Sequence, residues 1–192
     1  MKVFDNIISK KEQEDIKTLL FENKTFPWYY IKDITHSKKG KQLRPGFQHT
    51  FMEEGKVTSD ANIFIQSIIK NTAKKIKLKN YKIEKARTFL QLPLDEDFKG
   101  TGVDTPHLDY YTPHKVFLYY VCDSDGETII YDYKSKNSDD IPFFEDIKEL
   151  KRIKPKQGRV VVFNGLYWHT AEQPRNDIRC IININLIDES IR

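Results

Sequence analysis

The chain has 192 residues, of which 39% are hydrophobic and 31% are charged. This length fits one domain, and the composition is typical of a globular protein and excludes a disordered chain. The 32 basic and 28 acidic residues give a formal net charge of +4, which is less lopsided than a dedicated nucleic-acid-binding domain usually is. Two cysteines, Cys122 and Cys180, are too few for a disulfide framework and indicate a reducing compartment.

The chain shows no sign of a membrane or export signal. No run approaches the ~20 apolar residues that a membrane span needs. Asp5 and Asn6 stand where a signal peptide would begin its apolar run. We therefore expect a cytoplasmic protein that does not contact the membrane.

The first 80 residues predict a mixed segment with two helices. Ser9 and Glu12 have the spacing of a capping box, and apolar residues at helical spacing follow, so residues 10–22 predict an amphipathic helix. The other predicted elements are an extended segment at 26–30, a loop at 34–45, a strand at 47–52 and a helix at about 59–75 with Ile63, Ile65, Ile68 and Ile69 on its apolar face.

From residue 81 onward, short runs rich in Val, Ile, Tyr and Phe alternate with turn residues. They predict strands at 81–92, 115–121, 128–133, 151–154, 159–163 and 178–187. Many short strands with regular breaks favour a sandwich or barrel. We expect one domain over residues 1–192 that is mainly β with helices: a jelly-roll core at 81–192, supported by residues 1–80.

Three side chains form a candidate metal site. His107 and Asp109 are two residues apart in an extended segment, so both can project from one face, and His169 follows the strand at 159–163. Two histidines and one carboxylate are the facial triad of non-haem Fe(II), which leaves positions open for O2 and a chelating cosubstrate. A His-x-Asp pair alone also occurs by chance, and a single histidine near a strand end is often only hydrogen-bonded.

Arg179 is the second unusual feature, because it interrupts the apolar strand at 178–182. A guanidinium in such a strand is costly unless a carboxylate meets it, and its planar fork suits the carboxylate of a small ligand. The alternatives are an outward position on an edge strand and an ion pair with an acidic residue of the chain.

Taken in order, these motifs resemble the Fe(II)/2-oxoglutarate-dependent dioxygenases, and among them the prolyl 4-hydroxylase-like branch. The resemblance covers roughly residues 83–188, and the segment at 26–30 is similar to small virus-encoded members. The ordered set is His107-x-Asp109, Gly126-Glu127-Thr128, Pro155-x-x-Gly158-Arg159-x-x-x-Phe163, His169 and Arg179.

The resemblance implies a fold, a set of cofactors and their ligands. The fold is a double-stranded β-helix, or jelly roll, with supporting helices. His107, Asp109 and His169 would hold Fe(II), and Arg179 would bind the distal carboxylate of 2-oxoglutarate, with O2 as the second cosubstrate. Tyr119 and Thr128 would also contact 2-oxoglutarate.

The resemblance also marks the strand before the ligands as a place for cosubstrate or substrate contacts. Alternation puts Arg87, Phe89 and Gln91 on one face of that strand, and either orientation of the face is open. His114 follows Pro113 and has no carboxylate two residues away, so we interpret it as a loop residue or as one that lies behind the ligands.

The implied activity is hydroxylation of a peptidyl residue, such as proline, or of an amino-acid-like small molecule, with release of succinate and CO2. Asp109 favours hydroxylation, because halogenating relatives replace this carboxylate with a small residue. The tyrosine-proline-glycine turn of several prolyl hydroxylases is replaced here by Leu92-Pro93-Leu94, so the substrate stays open.

Two other functions compete with this hypothesis. Oxidative dealkylation of a nucleic-acid base is favoured by the net charge and by Trp28 and Trp168, which could stack on bases. The absence of a concentrated basic groove counts against it. The second alternative is a metal-free jelly-roll binding module in which the triad residues are incidental.

Overall fold

The computed structural model describes residues 1–34, 44–138, 140–143 and 145–191, so most of the predicted loop at 34–45 lies outside the described residues. Within these ranges the chain has two α-helices, two 3₁₀ helices and eleven strands. The strands in chain order are β1 (Lys2–Phe4), β2 (Tyr29–Ile31), β3 (Gly46–Glu53), β4 (Lys56–Val57), β5 (Tyr81–Gln91), β6 (Lys115–Tyr120), β7 (Thr128–Lys134), β8 (Glu149–Ile153), β9 (Val160–Asn164), β10 (Tyr167–Ala171) and β11 (Arg179–Asp188).

The first helix, α1 (Lys10–Phe21), begins as predicted. The backbone N–H of Glu12 donates to Ser9 Oγ over 3.3 Å, and Ser9 N–H donates to Glu12 Oε2 over 2.9 Å. The capping box therefore satisfies two backbone groups that the first turn would otherwise leave without a partner.

The second predicted helix consists of two different helices. A 3₁₀ helix (Asp60–Ile65) leads into α2 (Gln66–Lys75). The tighter 3₁₀ repeat changes the face on which each residue lies. Ile65 is buried, whereas Ile63 is 71% exposed, so the prediction that Ile63 belongs to the apolar face was wrong.

The described strands form two antiparallel sheets. The larger sheet has the order β1-β9-β6-β11-β5-β3-β2, with β4 paired to β3, and the smaller sheet has the order β10-β7-β8. This arrangement confirms the predicted fold class, a mainly β jelly roll with helices. The N-terminal part also contributes strands, because β1 and β2 are the two ends of the larger sheet.

Strand β10 was not predicted from the sequence. Its five residues pair with β7, and the register shifts between Tyr167 and His169. A short strand with this irregularity and a mixed polar composition lacks the period-two pattern on which strand prediction depends.

The larger sheet separates two cores. On β6, Phe117 and Tyr119 pack into a core that includes residues of both α-helices, whereas Val116, Leu118 and Tyr120 pack into a core that also includes Ile130 and Ile153 of the smaller sheet. The space between the two sheets therefore receives every second residue of the central strands. Within the described residues, no helix has both the length and the apolar character of a membrane span.

Candidate metal centre

His107, Asp109 and His169 meet between the sheets. One ligand atom from each lies within 4.8 Å of those of the other two. The two histidines are joined by a backbone bridge, in which His107 N–H donates to His169 O over 2.9 Å and His169 N–H donates to His107 O over 3.1 Å. Backbone pairing therefore brings together residues that are distant in the sequence.

The hydrogen bonds of both imidazoles leave a lone pair on Nε2. His107 Nδ1 lies 3.2 Å from Thr105 O, and His169 Nδ1 lies 3.0 Å from Tyr167 O. Because a carbonyl oxygen can only accept, each Nδ1 carries the hydrogen, and each Nε2 is free to bind a metal. This donor set of two imidazole nitrogens and a carboxylate fits Fe(II).

The Asp109 carboxylate is held by two amides and one guanidinium. Asn183 and Asn185 donate to Oδ2 over 3.0 and 2.9 Å, and Arg87 Nη2 lies 3.4 Å from Oδ1. Burial alone would raise the pKa of Asp109, but the neighbouring His169, His107 and Arg87 and the amide of Asn183 hold it well below its usual value. Asp109 is therefore a carboxylate, the form that binds a metal.

His169 is in the form that a metal requires. Its burial, together with the neighbouring His107, lowers the pKa of His169 to about 4. The imidazole is therefore neutral at neutral pH. His107, in contrast, is exposed at the cavity mouth.

A cavity of about 350 Å³ opens beside the three ligands. This volume lies in the range of small-molecule sites. Its walls combine apolar residues of the inter-sheet core with two arginines, Arg87 and Arg179. The apolar wall residues include Phe89, Val116, Leu118, Phe163 and Ile181.

Arg179 is buried in the cavity wall, with 4% of its surface exposed. Its Nε donates to Gly126 O over 3.0 Å, Nη1 to Gln91 Oε1 over 2.7 Å and Nη2 to Thr128 Oγ1 over 2.8 Å. These acceptors are neutral, so they orient the guanidinium without neutralising it. The outward position and the direct ion pair that the sequence left open are both excluded within the described residues.

Gly126 allows this arrangement because it has no side chain. A Cβ at this position would lie 2.6 Å from the carbonyl oxygen of Glu172 and 3.0 Å from Cδ of Arg179. A larger residue would have to displace one of these groups.

Behind Arg179 lies a buried network. Gln91 Nε2 donates to Asp104 Oδ2 over 3.0 Å, and Arg44 donates to Asp104 Oδ1. Burial raises the pKa of Asp104, whereas the charges of Arg44 and Arg179 oppose that rise. Gln91 is therefore fixed on both sides, and its amide orientation is set by its two partners.

The placement of Tyr119 requires a correction. Its side chain is fully buried in the core on the helix side of the sheet, away from the cavity. The next residue, Tyr120, faces the other side and donates to Thr128 Oγ1 over 2.8 Å. The sequence could not show which of two adjacent tyrosines faces the site. Thr128 lines the cavity.

The other singled-out aromatic and histidine residues lie outside the cavity. Trp168 is 4% exposed and packs with Ile129 and Tyr131, so it is not available to stack on bases. Trp28 is half-buried, and its Nε1 donates to Leu20 O over 3.0 Å. His114 is buried, with Nδ1 2.8 Å from Thr112 O, and is not one of the three clustered ligands.

Several site residues were missed by the sequence analysis. Asn183 and Asn185 could have been found from the sequence. They are polar residues in an apolar strand, four and six residues after Arg179, so they lie on the same face of the strand as Arg179. Arg44, Asp104 and Tyr120 had no such signal, since their partners lie far away in the sequence.

Comparisons with known proteins identify the fold. No family model and no curated protein matches the sequence. Among solved structures, the viral collagen prolyl hydroxylase of Paramecium bursaria Chlorella virus-1 is 14% identical, with a TM-score of 0.57 over 96% of this chain and 94% of that one. A prolyl hydroxylase of Trichoplax adhaerens, in complex with a hypoxia inducible factor peptide fragment, is 15% identical, with a TM-score of 0.60 over 98% and 84%.

A third solved structure with this fold is not a hydroxylase. The non-haem α-ketoglutarate-dependent epimerase SnoN of nogalamycin biosynthesis is 10% identical, with a TM-score of 0.67 over 97% of this chain and 77% of that one. The chain therefore has the fold of the 2-oxoglutarate/Fe(II) oxygenases, in agreement with the resemblance seen in the sequence.

Proposed function

We propose that the chain is an Fe(II)- and 2-oxoglutarate-dependent oxygenase that hydroxylates an amino-acid-type substrate, either peptidyl, for example prolyl, or free. The observation that carries this proposal is the meeting of His107, Asp109 and His169 beside a cavity that also contains Arg179. The oxygenase fold adds independent support.

The three ligands and Arg179 have separate roles in this proposal. The free Nε2 atoms and the Asp109 carboxylate would bind Fe(II), which with 2-oxoglutarate supplies the activation of O2. Arg179, fixed by its three hydrogen bonds, would bind the distal carboxylate of 2-oxoglutarate through its planar donors. Thr128 would share that carboxylate, and the apolar walls would exclude water from the reacting atoms.

The two alternative functions have less support. Dealkylation of a nucleic-acid base gains nothing from Trp28 and Trp168, because both indoles pack within the protein. A metal-free binding module gives no reason for placing a carboxylate beside two imidazoles whose Nδ1 atoms are satisfied and whose Nε2 atoms are free.

The test is the visible charge-transfer band that 2-oxoglutarate produces on bound Fe(II). Purified protein given both under anaerobic conditions should develop a weak band, and His169→Ala should lose it. In air, the wild type should release succinate slowly even without a further substrate.

His114→Asn is the matched control, because His114 is buried but does not belong to the cluster. This variant should keep the band. A wild-type sample without a band would overturn the proposal, as would an unchanged band in His169→Ala.

A further inference from the structure

A second arginine in the cavity supports the Asp109 carboxylate but has no role in binding the distal carboxylate. Arg87 lines the cavity, and 15% of its side-chain surface is exposed. Within the described residues, its one hydrogen bond is the 3.4 Å contact of Nη2 with Asp109, and its Nε is buried without a partner. A guanidinium has five N–H donors, so most of the hydrogen-bonding capacity of Arg87 is unused.

Asn183 is the cross-strand partner of Arg87 in the register of β5 and β11. Its Nδ2 donates to Asp109, but within the described residues its Oδ1 is buried without a hydrogen-bond partner. Register partners have Cβ atoms about 5 Å apart. Unused donors and an unused acceptor therefore stand side by side on the cavity wall, next to a metal ligand.

The charges of the site leave one positive charge over. With a divalent metal and dianionic 2-oxoglutarate in place, the charges of these two groups would cancel, and Asp104 is paired with Arg44. Asp109 then contributes one negative charge beside the two positive charges of Arg87 and Arg179, and its ion pair is the 3.4 Å contact with Arg87. The net positive charge, together with the unused donors of Arg87, favours a ligand that brings a negative or strongly polar oxygen.

Arg87 is also separated from the position expected for the distal carboxylate. Arg179 is bonded to Gln91, which lies four residues beyond Arg87 on β5, or roughly 13 Å along the strand. The two guanidinium groups are therefore held by different partners along the strand, Arg179 by Gln91 and Arg87 by Asp109.

Building on the proposed function, we propose that Arg87 and Asn183 form a subsite for the amino-acid unit of the substrate to be oxidised. Such a unit carries a carbonyl or carboxylate oxygen on one side of its α-carbon and an N–H group on the other; in a peptidyl proline, which has no N–H, the nearest N–H is that of the next residue. The oxygen would accept from Arg87, and the N–H would donate to Asn183 Oδ1. A free amino acid and a residue within a peptide share this chemistry.

Calorimetric titration tests the subsite on protein loaded anaerobically with Fe(II) and 2-oxoglutarate. One set of probes is the free L-amino acids, and a second set is their N-acetyl N-methylamides, which keep the carbonyl and N–H but carry no terminal charges. Binding of free amino acids alone identifies a small-molecule substrate, and binding of the blocked compounds identifies a peptide. Nucleoside monophosphates and single-stranded DNA form the third set.

Arg87→Met should lower the affinity for the probe that binds by about 10- to 100-fold, because it removes a charge-assisted hydrogen bond. Arg87→Lys should restore part of the binding through its charge. Arg152→Met, which removes an arginine at the edge of the smaller sheet outside the cavity, should leave binding unchanged.

The visible band of the same samples reports metal and 2-oxoglutarate binding independently, so a failure of the subsite can be told from a failure of the proposed function. The subsite is refuted if no probe of the first two sets binds, or if Arg87→Met leaves their affinity unchanged. It is also refuted if only the nucleotide set binds, or if Arg87→Met lowers the affinity for 2-oxoglutarate and not the affinity for the amino-acid probes.

Discussion

In the proposed function, Arg179 is the side chain that binds the distal carboxylate of 2-oxoglutarate. Its three nitrogens are bonded to neutral acceptors, so its charge is oriented but not cancelled. Arg179→Lys keeps the charge but cannot reproduce three bonds in fixed directions. We expect this variant to need about 10- to 100-fold more 2-oxoglutarate for half-maximal development of the visible band.

The measurement is an anaerobic titration of the band with 2-oxoglutarate at fixed Fe(II). Thermal unfolding of the same variant should show whether it remains folded. Unchanged half-saturation in a folded Arg179→Lys protein would contradict the anchoring role.

For single residues, the sequence predicts that a buried polar side chain must have hydrogen-bond or ion-pair partners, but it does not predict which residues those partners are. The cost of burying a guanidinium in the apolar strand indicated that Arg179 needed a carboxylate, whereas its acceptors within the chain are neutral. Those acceptors, Gly126, Thr128 and Gln91, are 53, 51 and 88 residues away, and no local pattern connects them to Arg179. Only the pairing of β11 with β5 and the position of β7 bring them together.

Asp125 joins two turns that precede elements of the site. Its carboxylate accepts from the backbone N–H groups of Arg175, Asn176 and Asp177, and from the side chain of Asn176. Gly126 directly follows Asp125, and Arg179 follows the turn at residues 175–177. By joining these two segments, the Asp125 carboxylate helps to hold Gly126 next to Arg179.

Asp125→Ala should lower the free energy of unfolding at pH 7 by about 0.5–1.5 kcal/mol, because it removes hydrogen bonds whose N–H donors are exposed and can bind water instead. Burial would raise the pKa of Asp125, but the backbone N–H donors lower it below its usual value. The stabilisation is therefore complete above the unfolded pKa of about 4 and is lost as the pH falls through the lower folded pKa.

Urea unfolding at several pH values from 7 down to 2 checks this prediction. The difference between wild type and Asp125→Ala should shrink toward the acid end of the series. Asp177→Ala is the matched control, since Asp177 is exposed and its side chain makes no hydrogen bond within the described residues. A difference that is constant over this range would contradict the role of the charged carboxylate.

Whole elements were predictable where the pattern was local. The capping box at Ser9 predicted α1, and the runs of β-branched and aromatic residues in β6, β9 and β11 predicted the central strands. Strand β10 was not predictable, because its pairing with β7 and the bridge between His107 and His169 hold it in place. His169, a proposed metal ligand, therefore lies on an element that tertiary contacts stabilise.

For the whole molecule, the alternation of side chains along a strand determines which residues share a face of the sheet. The packing of helices and of the second sheet determines what each face contacts. Alternation correctly placed Arg87, Phe89 and Gln91 together, and the structure turns that face toward the cavity. The same rule could not choose between Tyr119 and Tyr120, because helices cover one side of the larger sheet and the smaller sheet covers the other.

The two parts of the chain share one core, which bears on the prediction of a single domain over residues 1–192. Ile16 and Ile68 of the helices pack in the same cluster as Phe117, Tyr119 and Ile182 of the central strands. Removal of residues 1–80 would expose that entire face of the sheet to water, and burial of such apolar surface is the main source of stability.

A chain that begins at Tyr81 should therefore lack a cooperative thermal transition and should bind a hydrophobic dye, as compact states without fixed packing do. Near- and far-ultraviolet circular dichroism would follow the thermal transition, and fluorescence of the dye would report its binding. A chain that lacks only residues 1–5 loses the three-residue strand β1 at the sheet edge and should still unfold cooperatively. If residues 81–192 alone unfolded cooperatively near the temperature of the full chain, the jelly roll would be an independent domain, and the first 80 residues would be an accessory to it.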